Sequence, residues 1–157
     1  MSSNNVINLD LAIIGGGNAG ITLAKKLAEQ KNNLVTTVFE PKTPQQRNCS
    51  WSLWATPDQQ AELKHCVLGS WYKWRLVSGE EDVLLTSKHF SYLCLSSADY
   101  LQHSEDSLEG CIDIKRSPVD NLTGQHDFIS QGQSYRAEHI FDSRPFEEST
   151  HGLKQHF

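Results

Sequence analysis

The sequence predicts an α/β fold: a Rossmann-like sheet opened by a βαβ unit, with antiparallel strands and a β-meander inserted into it. Three observations predict it. Leu11, Ala12, Ile13 and Ile14 form a short apolar run that suits a strand buried on both faces. Gly15, Gly17 and Gly20 follow at once in G-x-G-x-x-G spacing. A second apolar run, Leu34 to Phe39, is β-branched enough for a neighbouring parallel strand and ends on an acid, Glu40, twenty residues after Gly20.

The elements follow in order. In the turn Gly15-Gly16-Gly17-Asn18-Ala19-Gly20, Gly15 allows the tight bend, Gly17 lets backbone approach a pyrophosphate, and Gly20 lets the helix lie close on the sheet. The start of that helix, at Asn18 and Ala19, offers N–H groups and the positive end of its dipole to phosphates. Ile21, Ala24, Leu27 and Ala28 recur at helical spacing, Lys25, Lys26 and Glu29 lie off that face, and Asn32-Asn33 stop it. Glu40 sits where a carboxylate accepts hydrogen bonds from ribose hydroxyls. The competing reading is a glycine turn used only for packing.

A loop, Pro41 to Ser50, comes next, and its Arg47 either reaches a cofactor phosphate or is solvated. Trp51, Leu53 and Trp54 add aromatic mass beside the cofactor region. Thr56 caps a short helix over 58–67, with Pro57 at its first position. Ser70 to Ser78 alternates as one strand, with Tyr72, Trp74 and Leu76 on one face and Lys73 and Arg75 on the other. Gly79 to Asp82 turns it into Val83-Leu84-Leu85, and Phe90 to Leu95 makes a third strand. The aromatic face of this excursion, 68–95, either floors an apolar substrate pocket or serves packing. Ser96 caps a helix with Asp99 three residues on, and Gly110 ends it. Ile112 and Ile114 continue as a parallel strand. Val119 to Ala137 reads as a β-meander turning at Thr123-Gly124 and Gln131-Gly132-Gln133. Ala137 to Asp142 then returns to the sheet.

The whole chain, residues 1–157, reads as one dinucleotide-binding domain with excursions. A net charge of −5 and a pI near 5.8 argue against nucleic acid as a partner. No apolar run approaches the roughly 20 residues that span a bilayer. Met1 to Asn8 has neither a basic nor an apolar signal region, which points to the cytoplasm. Cys49, Cys66, Cys94 and Cys111 form no C-x-x-C pair and read as reduced packing thiols. His65 and Cys66 would diverge on a helix, so no metal is expected there.

Several stretches together resemble the flavoprotein lycopene cyclases, at their N-terminal portion. These are DLAIIGGGNAG at 10–20, Glu40-Pro41, CSWSLW at 49–54, SWYKWRL at 70–76, LSSADYL at 95–101, AEHIFDSRP at 137–145 and LKQHF at 153–157. The resemblance implies a hydroxylase-like FAD-binding fold, a reduced FAD with NAD(P)H as reductant, and no net redox change. It implies a linear carotene as substrate and an isomerisation to an ionone ring. In that reaction an acid protonates the terminal double bond, the ring closes through a carbocation, and a proton leaves. Gly15, Gly17, Asn18, Ala19 and Gly20 match the family's pyrophosphate loop, and Glu40 matches its ribose ligand. Asp142 and Arg144 match its Asp-x-Arg beside the cofactor, where a local ion pair holding the strand end is the other reading. A carotene also implies access to a bilayer, for which any exposed part of the tryptophan set offers a peripheral contact; burial of the set is the other reading.

Two departures bear on catalysis. The family's catalytic carboxylates lie in a Phe-Leu-Glu-Glu-Thr type motif further downstream. Phe146-Glu147-Glu148-Ser149-Thr150 resembles it by letters only, directly after Asp-Ser-Arg where the family has a variable linker. A Gly-Asp segment that completes the flavin site is not in view either. The expectation is therefore an incomplete fold, a fragment that binds FAD weakly and does not turn over alone. The alternatives are another FAD-dependent oxidoreductase of the hydroxylase or monooxygenase kind, and a non-catalytic dinucleotide-binding fragment.

Overall fold

The computed structural model describes residues 5–30 and 33–144. In order they form β1 (Ile7–Ile14), α1 (Asn18–Glu29), β2 (Thr36–Phe39), a 3₁₀ turn (Gln45–Arg47), β3 (Ser50–Ala55), α2 (Pro57–Glu62), β4 (Val67–Trp71), β5 (Lys73–Ser78) and β6 (Glu81–Thr86). Then come β7 (Ser91–Ser96), α3 (Ser97–Asp106), β8 (Asp113–Lys115), β9 (Asn121–Leu122), β10 (Asp127–Ser130) and β11 (Gln133–Asp142).

The main sheet runs β8-β2-β1-β11-β10-β9. β1 is parallel to β2 and β11, β2 is parallel to β8, and β9, β10 and β11 form the antiparallel meander. β1 is buried on both faces, as its sequence predicts. Ile13 joins Ile21 and Ala24 of α1 and Leu101 of α3 on one side. Ala12 and Ile14 join Phe39, Phe128 and Tyr135 on the other. The Phe39 ring meets the edges of Phe128 and Tyr135 at centroid distances of 5.1 and 5.0 Å, the arrangement ring quadrupoles favour. Both predicted caps are present: Thr56 and Gln59 form a capping box, and the Ser96 hydroxyl accepts from the Asp99 N–H.

Several sequence expectations are corrected. The meander's last strand and the return strand are one continuous strand, β11, whose first half pairs with β10 and which pairs with β1 from Ile7↔Tyr135 to Ile14↔Asp142. The helix expected over 58–67 closes at Glu62, where turns carry the chain on to Cys66. The strand expected over 70–78 breaks at Tyr72. β4 joins a three-stranded sheet, β3-β7-β4, while β5 pairs with β6 alone. The Tyr72 carbonyl accepts from Ser87 N–H at 2.9 Å, which closes the hairpin at its base. Ser50–Ala55, whose tryptophans the sequence marks only as aromatic mass, is an edge strand of that sheet. The inserted strands thus span 50–96 rather than 68–95. Leu93, Leu95 and Ala55 bury the sheet's inner face. On its outer face Trp54, Tyr92 and Trp71 stand in one cross-strand row.

Candidate cofactor-binding site

The site begins where β1 ends. Gly15 has φ +95°, a left-handed value that side chains resist. A Cβ there would also strike the Ser143 hydroxyl, which donates to the carbonyls of Ile14 at 3.0 Å and Gly15 at 3.2 Å. Ser143 N–H donates to Ile14 O at 2.9 Å as well, so the strand end of β11 braces the turn. Gly20 packs against the turn from the helix side, and a Cβ on it would run into the Gly15 carbonyl. Gly17 differs: a Cβ there meets nothing within 4 Å, so the loop is open in front of it.

Gly17 is the N-cap of α1 and supplies no capping side chain, and the first turn carries no acidic residue. The N–H groups of Asn18, Ala19 and Gly20 are the donors that helix geometry leaves without an intrahelical acceptor. Asn18 and Ala19 are exposed. Phosphate chemistry fits this arrangement: open donors, a positive dipole end and no competing carboxylate.

Glu40 leaves the end of β2 and is buried, at 8% exposure. Its carboxylate accepts from Gly16 N–H and from Lys42 N–H, each at 2.9 Å. Each oxygen keeps a further lone pair for a hydroxyl. Gly16, to which the sequence reading gave no role, must be glycine because a Cβ would lie 2.8 Å from that of Glu40. Arg47 is not a solvated loop residue. It is largely buried, donates to the Gly16 carbonyl, donates to Glu105 at 2.7 Å, and lies 3.8 Å from Glu40. The structure thus brings Gly15, Gly17, Asn18, Ala19, Gly20, Glu40 and Arg47 around one loop. Glu105 and Ser143 belong to the same cluster and were missed. Glu105 stands in no motif, Ser143 is the unassigned middle residue of Asp-Ser-Arg, and only the fold brings them within reach.

Asp142 and Arg144 lie at the C-terminal end of β11, with Asp142 in register with Ile14. The Arg144 guanidinium grips the Asp142 carboxylate through Nε at 2.9 Å and Nη2 at 2.7 Å, and Nη1 donates to the Val119 carbonyl at 3.0 Å. These bonds hold the Asp142 carboxyl below the usual carboxylate range. The pair forms the local ion pair at the strand end.

Among the described residues no group of three or more His, Cys, Asp or Glu could hold a metal ion. The His65 ring lies tilted against His103 at a centroid distance of 4.0 Å, and burial first, then the neighbouring ring, lowers its pKa. No described helix is long and apolar enough to cross a membrane. Trp54 and Trp71 are half exposed, and the Trp54 ring packs at a tilt against both Trp74 and Tyr92. Phe146 to Thr150 lies outside the described residues.

Solved structures share this fold. A geranylgeranyl bacteriochlorophyll reductase-like protein from Thermoplasma acidophilum superposes with a TM-score of 0.68 at 18% identity, over 91% of this chain and 41% of its own. The myxobacterial chondrochloren halogenase CndH, described as a variant of FAD-dependent halogenases, gives 0.62 at 18% identity, over 90% and 38%. A variant of the halogenase PltM in complex with FAD gives 0.65 at 15% identity, over 87% and 34%. The expected flavoprotein fold is borne out, and the chain spans about two fifths of the length of these structures. No curated protein sequence matches. The family model for "Lycopene cyclase protein" matches residues 10–157, nearly the whole chain, and the chain therefore belongs to the lycopene cyclase family.

Proposed function

We propose that this chain is the dinucleotide-binding portion of a flavoprotein lycopene cyclase and that its ligand is FAD. The observation that carries the reading is the pairing of an open glycine loop with Glu40, held against it by the Gly16 N–H. In this reading the N–H groups of Gly17, Asn18 and Ala19 take the diphosphate and Glu40 takes the ribose diol. Asp142 and Arg144 fix the strand end beside the loop. Reduced FAD, with NAD(P)H as the reductant, supplies an electron-rich ring that favours a cationic centre nearby. The reaction is proton-initiated closure of a linear carotene end group, and no described residue is assigned as its acid.

The aromatic row of Trp54, Tyr92 and Trp71, whose tryptophans are half exposed, with the apolar hairpin residues Leu76, Val83 and Leu84, suits a peripheral contact with the bilayer that carries such a substrate. Titration with FAD, followed by flavin fluorescence, tests the ligand. Binding should weaken at least tenfold in Glu40→Ala, and no binding by the wild-type chain would sink the reading. Protein containing this chain should convert lycopene to a cyclic product without consuming NAD(P)H stoichiometrically. Substrate-dependent NAD(P)H oxidation would favour the second reading, an FAD-dependent oxidoreductase, which the halogenase likenesses support at the level of fold. FAD binding with no chemistry in any form would leave a dinucleotide-binding module.

A further inference from the structure

Six residues close a ring of hydrogen bonds beside the glycine loop. Gly16 N–H and Lys42 N–H both donate to Glu40, and the Lys42 carbonyl accepts from Arg116 Nη1 at 3.1 Å. Arg116 Nη2 donates to Glu105 Oε2, and Arg47 Nη2 donates to Glu105 Oε1 at 2.7 Å. Arg47 Nη1 donates to the Gly16 carbonyl, which completes the circuit. The side chains of Arg47 and Glu105 are 11% and 7% exposed, so both charges are largely shielded from water.

Two features of the ring decide what it does. Glu105 occupies Arg47 Nη2 while the Gly16 carbonyl occupies Nη1, and Nε reaches the Thr43 carbonyl at 3.4 Å. The guanidinium is thereby committed to protein oxygens. The peptide between Gly16 and Gly17 is trans, so its N–H points opposite to its carbonyl. With the carbonyl held by Arg47, the Gly17 N–H points away from the guanidinium.

We propose that Glu105 is a positioning residue of the dinucleotide site. Acting through Arg47, it fixes the Gly16–Gly17 peptide so that the Gly17 N–H is aimed at the ligand's diphosphate. This rests on the reading of the loop as a dinucleotide site. Arg47 then serves by aiming the loop, and its own charge is met by Glu105 and Glu40. Arg116 closes the far side and keeps the Glu105 carboxylate from turning away.

Glu105→Gln tests it, because the amide keeps the size but sets an NH₂ group against one guanidinium. In ligand-free protein, the Gly17 amide resonance should shift, with the rest of α1 unmoved. ADP should bind about tenfold more weakly, the size of one lost charge-assisted hydrogen bond. Adenosine, which has no phosphate, should bind as before. Should Glu105→Gln fail to fold, Arg116→Gln opens the ring at its 37%-exposed member, with about a threefold loss for ADP. An unmoved Gly17 amide, unchanged ADP affinity, or equal losses for ADP and adenosine would each overturn the proposal. A wild-type chain that binds neither FAD nor ADP overturns the dinucleotide reading itself, and the Gly17 amide still reports whether Glu105 sets the loop.

Discussion

The parallel half of the molecule and its inserted antiparallel half bury their sheets differently. In the parallel half, β1 and β2 are covered on both faces, by α1 and α3 on one side and by the Phe39–Phe128–Tyr135 cluster on the other. Its loop polar groups are tied together by Glu40, Arg47 and Glu105. In the inserted half, β3, β7 and β4 bury one face only. The other shows Trp54 and Trp71 at 49% and 50% exposure, and the β5–β6 hairpin leaves Leu76 and Leu84 more open still. A loop that must hold several N–H groups in fixed directions needs a rigid seat on both sides. A sheet that offers an apolar face to another surface needs support on one side alone.

That contrast can be broken most sharply at Phe39. Phe39→Ala removes the ring shared by the two aromatic contacts and should cost about 3–5 kcal/mol. All four tryptophans, Trp51, Trp54, Trp71 and Trp74, lie in the inserted half. Trp51 also packs on the parallel half beside Tyr100, so in a Trp51→Phe background the fluorescence reports the inserted half, while far-UV circular dichroism reports the whole. Coincident denaturant transitions in the mutant would mean that the halves unfold as one unit. A fluorescence transition left at the wild-type midpoint would mean that the inserted half stands by itself.

Within the inserted sheet the two faces should answer differently. Leu93 is fully buried, so Leu93→Ala should cost about 2–4 kcal/mol. Trp71→Ala, on the open face, should cost under about 1 kcal/mol, and urea midpoints compare the two. Similar losses would show that the outer face is packed rather than open. The glycine loop holds a finer contrast of the same kind. Gly20→Ala forces a methyl into the Gly15 carbonyl and should cost about 1–3 kcal/mol. Gly17→Ala meets open space and should cost under about 1 kcal/mol as a poorer N-cap. It should nonetheless weaken FAD binding, and a Gly17→Ala protein that binds FAD normally would show that the ligand does not approach there.

The same division governs what the sequence made legible. Strand, glycine turn, helix and terminal acid all sit within Leu9 to Glu40, and each is dictated by near neighbours, so the parallel start and its loop could be read directly. The inserted half could not. Alternation from Ser70 to Ser78 fits one strand as well as two, and only long-range pairing with β7 or β6 separates them at Tyr72. Ser50–Ala55 gave no strand signal that outweighed its tryptophans, because its partner β7 lies some forty residues on. Glu105 and Ser143 escaped for the same reason: each meets the glycine loop only after the sheet has formed. Arg47 was seen, but whether it faced solvent or the loop depended on Glu105.

The smallest effect falls at the end of β11, where the parallel half meets the loop. Arg144 holds the Asp142 carboxyl below its ordinary pKa, so the folded state binds that proton more weakly than the unfolded chain does. The resulting stability is fully present above the unfolded-state pKa, near 4, and is lost as pH falls through the depressed folded value. The pair is largely open to solvent, so the gain should stay under about 1 kcal/mol. Asp142→Asn should therefore lower the urea midpoint slightly at pH 7 and converge with wild type near pH 2–3. Curves that stay parallel down to that pH would show that the ion pair contributes nothing. The seat of the glycine loop would then rest on Ser143 and the β1–β11 ladder alone.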